Sequence, residues 1–255
     1  MEQPPSSQYS SHLVQQILNE IAQRVLTIRD HTELVFKDIN PVNGLILCRR
    51  FVENANVERI HTQNPSLHGI QQQWGKNSNI DWVCDGRMTR DEGYRMMGIG
   101  VGTRFEGFTG YILSSDQPDL YVAGYWESIP SIVVEAGWSG SGDRLQAAKD
   151  LWLRGTSEVQ VVVLLIWSKT LNNKVEGIAE VWSRAGEGGL AARRLAIFPE
   201  QNPLPYDDRI EFTKGQLIGL NTPISEPNTV LSLEMSQLRT LAEFVITLEF
   251  GMSPA

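Results

Sequence analysis

Three short apolar runs, Leu120 to Tyr125, Ile132 to Ala136 and Val159 to Trp167, stand close together and are bounded by Pro, Gly and Ser. They are rich in Val, Ile and aromatic residues, so each predicts a strand. Between the second and third, Leu145, Ala148, Leu151 and Trp152 recur at helical spacing. That pattern predicts a helix with Asp143 as N-cap and Gly155 as a left-handed C-cap. The chain is organised around this unit of strand, strand, glycine-rich turn, helix and buried strand, and two acids sit inside it where apolar residues would be expected.

On the N-terminal side, residues 1–10 are polar and Pro/Ser-rich, which predicts a frayed, disordered end. Val14, Ile17, Leu18, Ile21 and Val25 form one apolar stripe, so a helix is predicted from about Ser11 to Leu26. Val42 to Phe51 reads as a short strand broken by Asn43-Gly44, and His61 to Asn79 reads as a polar loop. Asp85-Gly86 and Asp91-Glu92-Gly93 read as turns. The run Gly98 to Gly102 places its third glycine one position early for a dinucleotide fingerprint, and no helical pattern follows, so a glycine-rich strand or hairpin is predicted. Phe105 to Leu113 alternates as a strand, with Ser114 to Gln117 as the turn after it.

On the C-terminal side, Asn172-Asn173 marks a hairpin leading into Val175 to Trp182. Arg194 to Phe198 predicts a further strand, and Ile210 to Leu220 with Thr229 to Leu233 predicts peripheral β structure. A last helix is expected over Ser236 to Leu248, with Leu238, Leu241, Phe244, Val245 and Leu248 inward and Gly251 as its stop. The fold class that follows is α/β: one domain over residues 11–255, with a central mixed sheet flanked by helices and a C-terminal β and helical extension at about 194–250.

The formal charge of −8 excludes a broad basic footprint for nucleic acid, yet the acid is unevenly spread. From Glu135 to Arg194 there are eight Lys/Arg against seven Asp/Glu, while from Pro199 onward there are three against eight. A weak, local engagement of phosphates is compatible with that distribution. No apolar run approaches the roughly 20 residues of a membrane helix. With only Cys48 and Cys84 and no leader-like start, an intracellular, reducing setting is expected, with both cysteines read as small hydrophobes.

Chemistry enters with Asp119, after Pro118 at the mouth of a strand, and Glu135, between Val134 and Ala136. Burying two carboxylates on neighbouring strands is costly unless something positive meets them. A divalent cation resolves the conflict by taking one oxygen from each acid together with a backbone carbonyl, here that of Ala136. The bland alternative is a surface-facing Glu135 with Asp119 as a turn residue. At about 100° per residue, Lys149 stands about 40° from Leu145, facing the sheet, where it would stabilise anionic charge. Its bland alternative is a snorkelling lysine.

Pro118-Asp119, then Glu135 in a strand, then a helix bearing Lys149, resembles the PD-(D/E)XK restriction-endonuclease-like superfamily. The similarity is to the branch with a Glu-x-x-Ser strand whose lysine has moved to the following helix. Ser139 and Ser141 follow Glu135, Lys149 lies fourteen positions after it, and the resemblance covers about Gly107 to Trp182, a nuclease-like core at about 105–184. The resemblance implies a restriction-endonuclease-like core, with Asp119 and Glu135 binding magnesium or manganese and Lys149 assisting phosphodiester hydrolysis. Gly137 stands where the standard motif has Lys, Trp138 is inserted before the Ser, and Glu20 is the nearest counterpart of the upstream helical acid. Two functions follow: a magnesium-dependent, nuclease-like phosphodiester hydrolase acting on nucleic acid, or a catalytically degenerate copy of that fold serving as a binding or accessory protein.

Two rival readings concern Gly137 to Gly142. As a nucleophile elbow around Ser139, the stretch fails because Ser141 replaces the last Gly, and His12, His31, His61 and His68 all precede it. As a phosphate loop it lacks the G-K-[ST] ending. Arg193-Arg194 reads as a solvated pair that could touch a phosphate.

Overall fold

The computed structural model describes residues 14–20, 23, 67, 69–125, 127–185, 189–218, 224–248 and 250–255. The chain divides into two compact units, one of residues 1–64 with 112–114 and the other of residues 65–111 with 115–255. In the first unit residues 14–20 are helical, with Val14 and Ile17 buried as their spacing predicts. The stretch 1–10 expected to be frayed, the strand expected at 42–51, the four histidines and Cys48 lie outside the described residues.

The second unit is α/β, built on a seven-stranded mixed sheet. Its elements are α1 (Ile70–Cys84), β1 (Met97–Gly100), β2 (Phe105–Glu106), β3 (Ser115–Asp116), β4 (Leu120–Gly124), β5 (Ile132–Trp138), α2 (Gly142–Gly155), β6 (Val161–Lys169), β7 (Lys174–Arg184) and β8 (Leu190–Phe198). Then come β9 (Arg209–Thr213), α3 (Lys214–Ile218), β10 (Val230–Glu234), α4 (Met235–Leu248) and β11 (Ser253–Pro254). The sheet order is β1-β4-β5-β6-β7-β11, with β8 also paired to β7. β1, β4 and β5 are antiparallel; β5 and β6 are parallel, joined by α2, as a parallel pair requires.

Alternation along β5 and β6 explains why both read as nearly continuous apolar runs. Val133, Val162 and Leu164 pack with Leu145, Ala148 and Trp152 of α2, while Val134, Ala136, Val163 and Leu165 join a second core with α1 and α4. Both faces of the sheet are covered, so both sets of alternate positions are apolar. Glu135 falls on the α2 side by the same alternation. Among the described residues, no helix is long and apolar enough to cross a membrane.

Several sequence expectations are corrected. His61 to Asn79 is not all loop, because α1 begins at Ile70. Its inward positions include Gln71, Gly75 and Ser78 beside Trp74 and Trp82, so the helical stripe is small and polar and escapes a hydrophobic reading. Asp91-Glu92-Gly93 is not a turn but enters a π-helical turn, Glu92–Met96. The predicted strand at Phe105 to Leu113 shrinks to two residues, and Ser115–Asp116 is its strand partner, not a turn. Ile210 to Leu220 leaves β structure at Lys214 to form α3. Cys84 is exposed and does not pack as a small hydrophobe.

On α4, Phe244 and Leu248 are 62% and 66% exposed, not inward. The helix is turned instead to bury Arg239, whose guanidinium meets Asp208 at 2.6 and 2.8 Å and the carbonyls of Ile197 and Ala196. The first part of the glycine run, Gly98 to Gly100, is in a strand as expected, and Val101 and Gly102 form a bend after it. Gly100 faces Tyr121 across the ladder, and a Cβ there would lie 2.2 Å from the Tyr121 ring.

The caps of α2 also differ from expectation. Ser141 occupies the N-cap, and Gly155 is the last helical residue, followed by an extended Thr156. Gly155 is required by close packing: a Cβ would stand 3.0 Å from Phe108 Cβ and 3.2 Å from Tyr111. Gly155→Ala gains up to about 1 kcal/mol of helix propensity but overpacks this contact at about 1–3 kcal/mol. A net loss in urea denaturation is expected, relieved by Phe108→Gly, which removes the Cβ that the new methyl meets, only at the cost of the Phe108 ring packing.

Candidate functional site

The β4–β5 ladder brings the two predicted acids together. Leu120 pairs with Val134, so one position further out Asp119 stands opposite Glu135. Asp119 Oδ2 accepts the backbone N–H of Ala136 at 2.7 Å, which fixes its carboxylate at the strand end. Glu135 is 1% exposed, so the surface-facing alternative does not hold. The Trp152 indole N–H donates to Glu135 Oε1 at 3.1 Å. Trp152 is itself held by edge-to-face contacts with Phe105 and Phe108, at 5.5 and 5.0 Å between ring centroids.

A third acid completes the group. Asp116, on β3, interacts side chain to side chain with both Glu135 and Trp152. Its Oδ1 accepts the Gln117 N–H at 2.9 Å, while Oδ2 is buried without a donor. The sequence reading missed Asp116 because a two-residue strand carries no periodicity. The available signal was a second acid just before Gln117-Pro118-Asp119, separated from Asp119 by the residues that turn the chain into β4.

Three clustered carboxyls do not ionise independently. Burial first, then the charges of Asp116 and Asp119, push the Glu135 carboxyl well above the usual carboxylate range. The Trp152 hydrogen bond and the Arg144 charge oppose that shift without cancelling it. Asp116 is also raised, chiefly by burial. Both members of the pair are thus held above their ordinary range, Glu135 the further.

Among the described residues, the cation coupled to the acids is Arg144, in the first turn of α2, which donates from Nη2 to the Ala136 carbonyl at 3.0 Å. Lys149 faces inward as predicted, only 7% exposed, but its ammonium pairs with Asp150 at 3.0 Å and lies 4.2 Å from the Trp182 ring centroid. Ser139 is exposed, and Ser141 is buried with its hydroxyl on the Trp138 carbonyl at 2.7 Å. Glu20 belongs to the first compact unit. Arg194 is paired with Glu180 at 2.6 Å and Arg193 with Asp207 at 2.6 Å.

Oxygen donors of this kind suit a hard divalent cation, and the orphaned Asp116 Oδ2 is a site that one would satisfy. The Ala136 carbonyl, expected as a ligand, already accepts from Arg144. Among the described residues, no group of three or more His, Cys, Asp and Glu is arranged to hold a metal ion. The chain matches no protein-family model, no curated protein and no solved structure.

Proposed function

We propose that the protein is a magnesium- or manganese-dependent phosphodiester hydrolase of the nuclease-like kind, acting at Asp116, Asp119 and Glu135. The observation that carries this reading is the convergence of three carboxyls at one end of the β4–β5 ladder, with Glu135 buried and its charge opposed by its neighbours. The order helix, three antiparallel strands, crossover helix, parallel strand, formed by α1, β1, β4, β5, α2 and β6, supports a restriction-endonuclease-like core. Asp119 and Glu135 would hold the cation, with Asp116 as a further oxygen donor. When bound, the cation supplies Lewis-acid polarisation of a phosphodiester and a more acidic water. Trp152 orients Glu135, and Arg144 takes the charge-stabilising role first assigned to Lys149, being the cation coupled to the acids.

Cleavage of DNA or RNA should require magnesium or manganese and be abolished by Glu135→Gln, which keeps the shape and the Trp152 hydrogen bond but removes ligand charge. Arg144→Ala should cost roughly a hundredfold in rate, in line with loss of one preorganised charge-stabilising donor. Because the chain is net acidic, substrate binding should weaken steeply with salt. Cleavage that survives chelation, or that depends on Ser139 and not on Glu135, would overturn the assignment.

A second reading, a degenerate nuclease-like fold that binds rather than cuts, is favoured by one feature. Lys149 is engaged with Asp150 and Trp182, away from the role the resemblance gave it. Absence of cleavage on single- and double-stranded substrates with either metal selects this reading.

A further inference from the structure

A second cleft lies between α2 and the outer strands. Its volume is about 600 Å³, and it is lined by Lys149, Leu153 and Arg154 of α2, Trp182 and Arg184 of β7, and Leu190 of β8. It shares no residue with the carboxylate site. In a chain of net charge −8, three of its six lining residues are cations.

Among the described residues, the acid paired with the two α2 cations that line the cleft is Asp150, whose Oδ1 lies 3.0 Å from Lys149 and 3.3 Å from Arg154. Lys149 carries three N–H donors; its ammonium forms an ion pair with Asp150 and lies over the Trp182 ring. Arg154 has a side chain 65% exposed at the rim, and a guanidinium carries five N–H donors, so most of its capacity remains. Arg184 is committed: it donates to the carbonyls of Val159, Leu153 and Thr156 at 2.7, 2.9 and 2.6 Å, closing the end of α2, with Glu158 in electrostatic reach. It contributes field rather than a free donor.

The Trp182 indole N–H is buried and has no acceptor. A buried donor left unmade is costly, and an incoming oxygen relieves it. Beside it stands the ammonium of Lys149, a residue only 7% exposed. Leu153 and Leu190 give the same cleft an apolar wall.

We propose that this cleft binds a small phosphate-bearing ligand, with the Lys149 ammonium, the Trp182 indole N–H and the Arg154 guanidinium as donors and Leu153 and Leu190 against an attached organic group. The assignment is independent of the hydrolase reading and stands or falls without it. It gives Lys149 and Trp182, neither of which the carboxylate site uses, one common ligand.

The test is a titration of ¹⁵N-labelled protein followed in the indole N–H region, where seven tryptophans give seven signals. The Trp182 signal is assigned by its loss in Trp182→Phe. Inorganic phosphate, adenosine monophosphate and adenosine are added in turn to millimolar concentration. A saturable shift of the Trp182 signal is expected with both phosphates and not with adenosine. Tighter binding of the nucleotide assigns a phosphoester with an organic group, and equal affinity assigns free phosphate.

Lys149→Met should weaken binding by about tenfold and Arg154→Gln by several-fold, as loss of one charge-assisted donor predicts. Arg154 is exposed, so Arg154→Gln decides the matter even where Lys149→Met fails to fold. No saturable shift, an equal shift with adenosine, or wild-type affinity in Arg154→Gln overturns the proposal.

Discussion

Replacing Lys214 with methionine should lower the unfolding free energy by about 3–5 kcal/mol, the usual penalty for stranding one partner of a buried ion pair. That is a large share of the roughly 5–15 kcal/mol that holds a typical domain together. Lys214 and Glu92 are 2% and 3% exposed, and the ammonium lies 3.1 Å from Glu92 Oε2. Thr89 donates to the same carboxylate from its N–H and hydroxyl, Ser225 donates to Oε1 at 3.2 and 2.9 Å, and Lys214 also reaches the Ser225 carbonyl at 3.0 Å. Two stretches distant in sequence, Thr89 to Glu92 and Lys214 to Ser225, are thus fastened at one point.

Burial works against ionisation of Glu92, but the hydrogen bonds from Thr89, Lys214 and Ser225 hold its carboxyl below the ordinary range. The sign of the pH dependence follows. A depressed carboxyl contributes stability above the unfolded-state value and loses it as pH falls through the folded one. Urea melts of Lys214→Met should show a lower midpoint at neutral pH. Glu92→Gln combined with Lys214→Met should cost less than the sum of the single changes, because the pair is coupled. An additive result would mean that the ion pair contributes nothing of its own.

Glu135→Gln should raise stability at and above neutral pH. The wild-type carboxyl is raised by burial and by Asp116 and Asp119. As pH climbs past the unfolded carboxylate value, the unfolded chain loses a proton that the folded one keeps. Stability therefore falls toward higher pH, by at most about 1.4 kcal/mol per pH unit for one such group. The loss stops growing only above the folded-state value. Asp116, raised by burial, acts in the same direction.

A glutamine accepts from Trp152 and offers an amide toward Asp116 with no proton to gain or lose, so the slope should shrink. Magnesium, by favouring the ionised form, should flatten the wild-type slope and release protons measurable in weakly buffered calorimetry. A wild type whose melting temperature is indifferent to pH from about 5 to 9 would remove the raised carboxyl.

The legible part of the fold is the part whose core is apolar on a regular period. β4, β5, α2, β6 and β7 all stand close to where Val, Ile and Leu spacing places them. The illegible part has a core made of other residues. α1 turns Gln71, Gly75 and Ser78 inward, and α4 turns in Arg239 because Asp208 and two carbonyls meet it. For the site, Asp119 and Glu135 were legible because carboxylates among valines need an explanation. Asp116 was not, since its position depends on a two-residue ladder. The direction of Lys149 was legible from helix geometry, but its partner was not: Asp150 and Trp182 compete for the ammonium, and Trp182 comes from the strand after next.

The tryptophans of α1 reach across most of the chain: Trp74 donates its indole N–H to the Glu234 carbonyl at 2.9 Å and Trp82 to that of Ser232 at 2.8 Å. These bonds join residues 160 and 150 positions apart, whereas β5, α2, β6, β7 and β8 each pair or pack with near neighbours in sequence. Closing a loop of that length costs on the order of 4 kcal/mol of chain entropy before any contact repays it. The α2 side of the sheet can therefore assemble first from local contacts, carrying the three carboxyls with it, while the α1–β10–α4 layer has to wait for the two ends of the domain to meet. The order of assembly expected from this spacing puts the candidate site before the α1–β10–α4 layer.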